Sequence, residues 1–155
     1  RKHIAFITSI DDLSVGKLRE AGYKKAITES FNKCDDSKIL RVHKGEDSQE
    51  QIKRFFKNNP NIDGVLSADN ISGTMAINIA INLKRNVPKN ISIIGFADEI
   101  ISELSVPKLT TINQHPEEIG KNAVQLLIKR LENKNEILEP ITKVIGTTII
   151  EREST

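Results

Sequence analysis

The sequence lacks several features that would point to a function without further analysis. It has a single cysteine, Cys34, which excludes an internal disulfide and fits a reducing compartment. No apolar stretch approaches the ~20 residues of a membrane helix, so the sequence predicts no membrane segment and no membrane partner. Lys and Arg number 23 against 21 Asp and Glu, a formal net charge of +2. Because the basic residues are also scattered, the chain predicts no nucleic-acid surface of its own.

Signatures of catalysis and metal binding are missing as well. The chain has no G-x-S-x-G sequence, no glycine-rich phosphate loop after a strand and no His-Glu-x-x-His cluster. Its histidines, His3, His43 and His115, are far apart in the sequence, which disfavours a metal site. We therefore predict that the protein is not an enzyme and that it needs no cofactor.

What is present is one globular domain's worth of sequence. The 155 residues are 37% hydrophobic and 28% charged, as in ordinary soluble domains. Residues 1–3 lead directly into the strand-like run Ile4-Ala5-Phe6-Ile7, without the apolar region of a signal peptide. We interpret this start as an internal boundary of a longer protein, so the missing leader does not predict a location.

Short β-branched runs alternate with segments of helical periodicity. Strands are predicted at 3–8, 39–42, 62–67, 91–96, 109–114 and 143–151, and helices at 14–31, from a Ser48–Gln51 capping box to Pro60, at 69–84 and at 116–133. Parallel neighbours need crossover connections, and alternating strands and helices supply them. The order predicts an α/β fold, a parallel sheet flanked by helices on both faces.

The loops after these strands are polar, with carboxylates and amides at positions such as Asp69, Asn70 and Asp98. In open parallel sheets, ligands bind outside the carboxyl ends of the strands. This rim of hydrogen-bonding groups favours a hydroxyl-rich ligand.

Several sequence motifs occur together in the order in which a known protein family has them. They are Asp63-Gly64-Val65-Leu66-Ser67-Ala68-Asp69-Asn70, Val87-Pro88-Lys89-Asn90-Ile91-Ser92-Ile93-Ile94-Gly95-Phe96, Leu109-Thr110-Thr111-Ile112-Asn113-Gln114 and the helix from Pro116. With these phrases, essentially all 155 residues resemble the lactose-repressor (LacI/GalR) family. The resemblance implies that residues 1–155 are the C-terminal, second lobe of a periplasmic-binding-protein-like effector domain. It also implies a cytoplasmic repressor that forms a homodimer, responds to a small sugar-like effector and binds operator DNA through a helix-turn-helix absent from this chain.

In that family the helix at 116–133 belongs to the first lobe, most of which is absent here. Its apolar stripe consists of Ile119, Ala123, Leu126, Leu127 and Leu131. Exposure of such a stripe costs about 1.5–3 kcal/mol for each large side chain. We expect this helix to pack against another copy or to be displaced.

The resemblance assigns ligand-binding roles to Arg19, Asp69, Asn70, Asp98 and Gln114. Arg19 stands where the family arginine reaches the ligand, and a guanidinium can grip two hydroxyls with its fork of donors. Asp69 and Asn70 reverse the family's usual Asn-Asp order. The alternative is a role as helix N-cap, and the two roles can coexist.

Ala97 occupies a position that is often acidic in the family, so Asp98 is the candidate substitute, with a turn or surface role as its alternative. For Gln114 the alternative is hinge hydrogen bonding. Asp47 lies in a loop where other members offer an aromatic ring, and here we expect it to cap the following helix.

The helix at 69–84 has apolar residues on more than one side. Ile71, Met75, Ile79 and Leu83 line one face, and Ile77 and Ile81 lie on another. One sheet cannot cover both faces, and the resemblance implies a second subunit there. We predict that Ile71, Met75, Ile77 and Ile81 form the dimer interface, with burial inside the domain as the alternative.

An exported sugar-binding protein of a transporter shares the implied fold and is the alternative function. The phrases at Gly95-Phe96, at 109–111 and at 149–154 resemble the repressors instead, and they favour the regulator. An upstream helix-turn-helix or an upstream signal peptide would distinguish the two classes.

Overall fold

The structure, a computed structural model, describes residues 1–43, 47–132 and 139–155. The strands are β1 (Ile4–Thr8), β2 (Ile39–Arg41), β3 (Gly64–Ser67), β4 (Ser92–Phe96), β5 (Thr110–Asn113) and β6 (Thr148–Ile150). The helices are α1 (Ser14–Phe31), α2 (Ser48–Asn58), α3 (Asn70–Asn82), α4 (Ile100–Leu104) and α5 (Pro116–Glu132).

The strands form one sheet in the order β2-β1-β3-β4-β5-β6. The first five are parallel, and β6 runs antiparallel to β5 at the edge. The predicted parallel sheet is therefore confirmed. The last strand is shorter than the predicted 143–151, and Ile141 and Val144 before it are 63% and 84% exposed. Those residues have no neighbouring strand to pair with among the described residues.

Helices cover both faces of the sheet, as the alternation predicted. Along β1, Ala5 and Ile7 point into a core shared with α2 and α3, whereas Phe6 points to the other side. There Phe6 stacks on Tyr23 of α1, with ring centroids 5.2 Å apart. Successive residues of a strand thus supply two separate cores.

The start of α2 differs from the predicted capping box. Asp47 is the N-cap, and its side chain accepts hydrogen bonds from the backbone N–H groups of Gln49 and Glu50. The Gln51 side chain instead exchanges two hydrogen bonds with the backbone of His43. The Ser48–Gln51 box was therefore wrong, and the expected capping by Asp47 is confirmed.

Helix α5 has no buried residue. In its apolar stripe, Ile119 is 47% exposed, Leu127 56% and Leu131 55%. The stripe therefore lacks a covering partner in the described part of the chain, and its packing against another copy stays a prediction. Its placement in a first lobe stays a prediction. Among the described helices, none combines the length and the apolar character needed to cross a bilayer.

Candidate ligand site at the carboxyl edge of the sheet

The direction of the crossovers reverses between β1 and β3. Helix α1 leaves β1 on one face of the sheet, and α3 leaves β3 on the other, which opens a crevice between the two strand ends. Ser9 follows β1, and its hydroxyl donates to Asp69 Oδ2 at 3.0 Å. The topology therefore places the predicted Asp69 at the point where sheets of this kind bind ligands.

Asp69 is also the N-cap of α3. Its Oδ1 accepts from the Ser72 backbone N–H at 2.7 Å, and its Oδ2 accepts from the Ser72 hydroxyl at 3.0 Å. The capping alternative is thus confirmed. The carboxylate lies in the crevice as well, so a ligand-binding role for Asp69 stays a prediction.

Arg19 reaches from α1 over the strand ends. Its Nη1 donates to the backbone oxygen of Ala68 at 2.6 Å, and its Nη2 donates to Gln114 Oε1 at 2.7 Å. The guanidinium lies over the Phe96 ring, 4.2 Å from its centroid, in a cation–π contact. Burial lowers the pKa of Arg19, and the negative charge of Asp69 opposes that shift.

Gln114 connects the crevice to a cavity beside it. The cavity has a volume of about 560 Å³ and is lined by Ala97, Asp98, Glu99, Asn113, Gln114, His115, Pro116, Glu117 and Glu118. Ligand pockets in proteins measure roughly 300–1,000 Å³, so a small molecule fits this space. Two of the predicted site residues, Asp98 and Gln114, line it.

Asn70 is 6% exposed at the start of α3. Its Nδ2 donates to Glu99 Oε2, on the rim of the cavity, at 2.9 Å. Glu99 was not among the predicted site residues, and its position two residues after Ala97 was the local signal for it.

Asp98 lines the cavity, yet both of its oxygens accept bonds from the protein. Oδ1 accepts from Arg152 Nη2 at 2.6 Å and from the Thr111 hydroxyl at 2.8 Å, and Oδ2 accepts from Asn113 at 3.4 Å. Burial acts to raise the pKa of Asp98, but the bonds from Arg152 and Thr111 outweigh it and hold the pKa below its ordinary value. Arg152 lies 54 residues away in the sequence, and sequence reasoning missed it.

The predicted interface residues on α3 differ in exposure. Ile71 and Ile81 are 54% and 42% exposed. Met75 is partly buried and packs against the core. Ile77 is 0% exposed. The prediction for Ile77 was wrong, because Gly73, Ala76, Ile77 and Ala80 form the buried side of this helix.

Comparisons with known proteins agree with this geometry. The chain matches the "Periplasmic binding protein-like domain" family over residues 1–155. It is 36% identical over 156 residues to the HTH-type transcriptional regulator RegA of Clostridium saccharobutylicum, covering 99% of this chain and 46% of that protein. It is 30% identical to the HTH-type transcriptional regulator MalR of Clostridium butyricum, covering 94% of this chain and 43% of MalR.

Solved structures show the same likeness. A transcriptional regulator CelR–cellobiose complex superposes with a TM-score of 0.87 at 26% identity, over 99% of this chain and 47% of that chain. The transcription regulator CcpA of Lactococcus lactis superposes with a TM-score of 0.79 at 25% identity, over 99% of this chain and 56% of that chain.

The chain therefore belongs to the periplasmic-binding-protein-like domain family and, within it, to the C-terminal effector-binding domains of the LacI/GalR type. It spans about half the length of the curated relatives it matches. Those named here are regulators, which favours the regulator over an exported sugar-binding protein.

Proposed function

We propose that this chain is the effector-sensing and dimerising part of a cytoplasmic DNA-binding transcriptional repressor that responds to a small sugar-like effector. The observation that carries the proposal is the contact of Arg19 with Gln114, at the crevice formed by the β1 and β3 ends. It joins the predicted site residue of α1 to the one that follows β5, across 95 positions of sequence. The regulators named above share this fold over nearly the whole chain.

The ligand chemistry follows from the side chains at this edge. Asp69 and Glu99 offer carboxylate oxygens, Gln114 offers an amide, and Arg19 offers guanidinium donors. A polyhydroxyl compound has both donors and acceptors, so it can satisfy such a mixed set. The CelR complex named above holds cellobiose, which is the kind of ligand we propose here.

The position of Gln114 suggests how a ligand changes the protein. Gln114 ends the crossing segment after β5, and α5 begins two residues later at Pro116. A ligand that takes up donors of Arg19 competes with the Gln114 contact, and it thereby biases the arrangement of the two lobes. An effector can shift that equilibrium only by its difference in affinity for the two arrangements.

We assign homodimerisation to the exposed side of α3 together with α4. Ile71 and Ile81 of α3 are exposed, as are Ile101 and Leu104 of α4, at 36% and 71%. Met75 lies between the two exposed α3 residues along the helix. An exposed apolar surface of this kind is typical of a subunit interface. This assignment retains the three predicted residues other than Ile77.

Operator DNA is the proposed second partner. The formal net charge of these 155 residues is +2, with Lys and Arg nearly balanced by Asp and Glu, so we assign DNA binding to a helix-turn-helix in another part of the protein. A two-fold dimer of lobes would set the spacing of two such heads on a palindromic site.

The test is DNA binding by the full-length protein. Fluorescence anisotropy with a labelled duplex from its own promoter should show specific binding, and the right saccharide should change the apparent Kd by about 5- to 150-fold. Arg19→Met should abolish the response to the saccharide and leave DNA binding in its absence intact, whereas exposed Arg54→Met should change neither. Lack of specific DNA binding would contradict the repressor role. Specific binding that no saccharide alters would contradict the effector role.

A further inference from the structure

We infer that the effector is an uncharged saccharide rather than a phosphorylated or carboxylated sugar, and that Glu99, positioned by Asn70, is the acidic side chain that recognises its hydroxyl groups. This inference rests on the proposed function and names the ligand class of the same site. Its starting point is the charge of the cavity beside Gln114.

The lining of the cavity contains the carboxylates of Asp98, Glu99, Glu117 and Glu118, and no lysine or arginine is among the lining residues that the structure describes. Asp98 is neutralised by Arg152 at 2.6 Å. The other three carboxylates have no cationic side chain within 4.0 Å in the described part of the chain. A phosphate or carboxylate group in this cavity would meet uncompensated negative charge.

Two cationic features nearby do not reverse that charge. The amino-terminal end of α5 carries the positive end of a helix dipole, but Glu117 and Glu118 occupy its first turn and offset it. Arg19 has already committed one donor to the backbone oxygen of Ala68 and another to Gln114. Its remaining N–H groups can donate to a ligand hydroxyl. Arg19 is one cation beside several carboxylates, so the cavity keeps its negative charge.

Glu99 is held in place for recognition. Asn70 is nearly buried, and its amide donates to Glu99 Oε2 at 2.9 Å, while Glu99 itself is exposed on the cavity rim. Oε1 of Glu99 accepts no hydrogen bond from the described residues. A carboxylate fixed by one oxygen and open at the other is an acceptor for ligand hydroxyls, and such charge-assisted bonds are about twice as strong as neutral ones.

The two residues before Glu99 in this loop are poorly suited to accept hydrogen bonds from a ligand. Ala97 presents only a methyl group, and the oxygens of Asp98 are occupied by Arg152, Thr111 and Asn113. Ala97 has φ 68°, in the left-handed region, so the chain turns sharply just before Glu99. Glu99 is therefore the acceptor that the loop after β4 can offer to a ligand.

Calorimetric titration of the full-length protein tests the ligand class. The probes are cellobiose, maltose and ribose, each paired with its phosphorylated form (cellobiose 6-phosphate, maltose 6-phosphate and ribose 5-phosphate). We expect at least one uncharged sugar to bind, and its phosphorylated partner to bind at least about tenfold more weakly, because its phosphate group would meet the uncompensated carboxylates of the cavity. A preference for a phosphorylated sugar, or no binding by any of the six, would overturn the inference.

Two variants test the role of Glu99. Glu99→Gln should weaken binding of the uncharged sugar about tenfold and narrow its advantage over the phosphorylated form. Glu151→Gln makes the same change of charge at an exposed residue just after β6 and should match the wild-type. If Glu99→Gln behaves like Glu151→Gln, Glu99 is not the recognition residue.

The positioning of Glu99 by Asn70 is tested by exchanging which of the two side chains donates the hydrogen bond between them. Asn70→Asp places a second carboxylate beside Glu99 and should weaken binding of the uncharged sugar. The double variant Asn70→Asp/Glu99→Gln restores a hydrogen bond between the two side chains and should bind like Glu99→Gln alone. Failure of this rescue would contradict positioning by Asn70. Operator binding, measured on the same preparations, separates the two proposals: specific DNA binding released only by a phosphorylated sugar keeps the repressor role and rejects this inference.

Discussion

The ion pair of Asp98 and Arg152 yields the sharpest prediction about stability. Arg152 follows β6 and is 12% exposed, and Asp98 follows β4 and is 20% exposed. Besides the ion pair, Arg152 donates to the backbone oxygen of Leu109 at 3.0 Å and to the Thr111 hydroxyl at 2.8 Å. The antiparallel edge strand is thereby tied to the loops of the parallel sheet. Replacement of Arg152 by methionine keeps most of the apolar length of the side chain.

Arg152→Met leaves a mostly buried carboxylate without its cation. Removing one partner of a buried ion pair costs about 3–5 kcal/mol, and partial exposure of both side chains places this case near about 3 kcal/mol. For a chain of this size we expect the Tm to fall by about 6–12 °C, at about 2–4 °C per kcal/mol. Exposed Arg54→Met removes the same group and should change stability by less than about 0.5 kcal/mol.

The effect depends on pH in a defined direction. In the wild-type, burial acts to raise the pKa of Asp98, but the bonds from Arg152 and Thr111 outweigh it and lower that pKa. A lowered pKa in the folded state adds stability above the unfolded pKa, about 3.9 for Asp, and this stability is lost as the pH falls through the folded value. In Arg152→Met the effect of burial dominates and raises the pKa of Asp98. Protonation of Asp98 then removes the unpaired buried charge and stabilises the variant relative to its ionised form. The difference in unfolding free energy between the two proteins should be largest near neutral pH. It should narrow as the pH falls through the raised pKa of the variant and then through the lowered pKa of the wild-type.

Urea denaturation, followed by circular dichroism at several pH values, gives both quantities. The double variant Arg152→Met/Asp98→Asn should recover part of the loss, because no unpaired charge remains. A loss below about 1 kcal/mol at pH 7 would refute the argument that burial makes this pair costly to break. If the difference in unfolding free energy between the wild-type and Arg152→Met widened as the pH fell, the assigned directions of the Asp98 pKa shifts would be refuted.

Three further predictions concern other parts of the chain. Gly16→Ala places a Cβ 1.9 Å from the backbone oxygen of Ile10, so it should cost about 1–3 kcal/mol in urea denaturation, and a neutral result would contradict the close contact. Asp69→Ala should lose about 1 kcal/mol of cap energy, whereas Asp69→Asn keeps an accepting oxygen, so equal losses in the two variants would argue against capping. Ile81→Glu puts a charge on the proposed interface and should raise the dimer dissociation constant in analytical ultracentrifugation at least about tenfold, with exposed Leu18→Glu unchanged; equal effects would argue against the α3 surface.

The bounds of the long helices were predictable from the sequence, although the buried side of α1 consists only of Gly16 and Tyr23. Helix α1 matches its predicted bounds, and α5 begins at the predicted Pro116. Long amphipathic runs and caps act within a few residues, so one local window contains the signal. Helix α4 has only five residues, Ile100–Leu104, too few for a periodic pattern, and it was missed.

The candidate site was predictable only as a set of polar loops and family positions. The neighbouring sequence did not indicate that Arg152 pairs with Asp98, or that Asn70 donates a hydrogen bond to Glu99. The prediction for α3 failed at Ile77 for a similar reason. Spacing shows which residues share a side of a helix, but the sheet and α2 determine which side is buried.

Which features could be predicted from the sequence, and which required the tertiary structure, depends on how far apart in the sequence the interacting residues lie. Strand and helix order, the parallel sheet with two covered faces and the polar carboxyl edge follow from hydrophobic periodicity, turn chemistry and chirality, which act over a few residues. The pairing of Arg19 with Gln114 joins residues 95 apart, and that of Asp98 with Arg152 joins residues 54 apart. Such contacts depend on how crossovers and strand register bring distant side chains to one edge, so they become visible only in the folded chain.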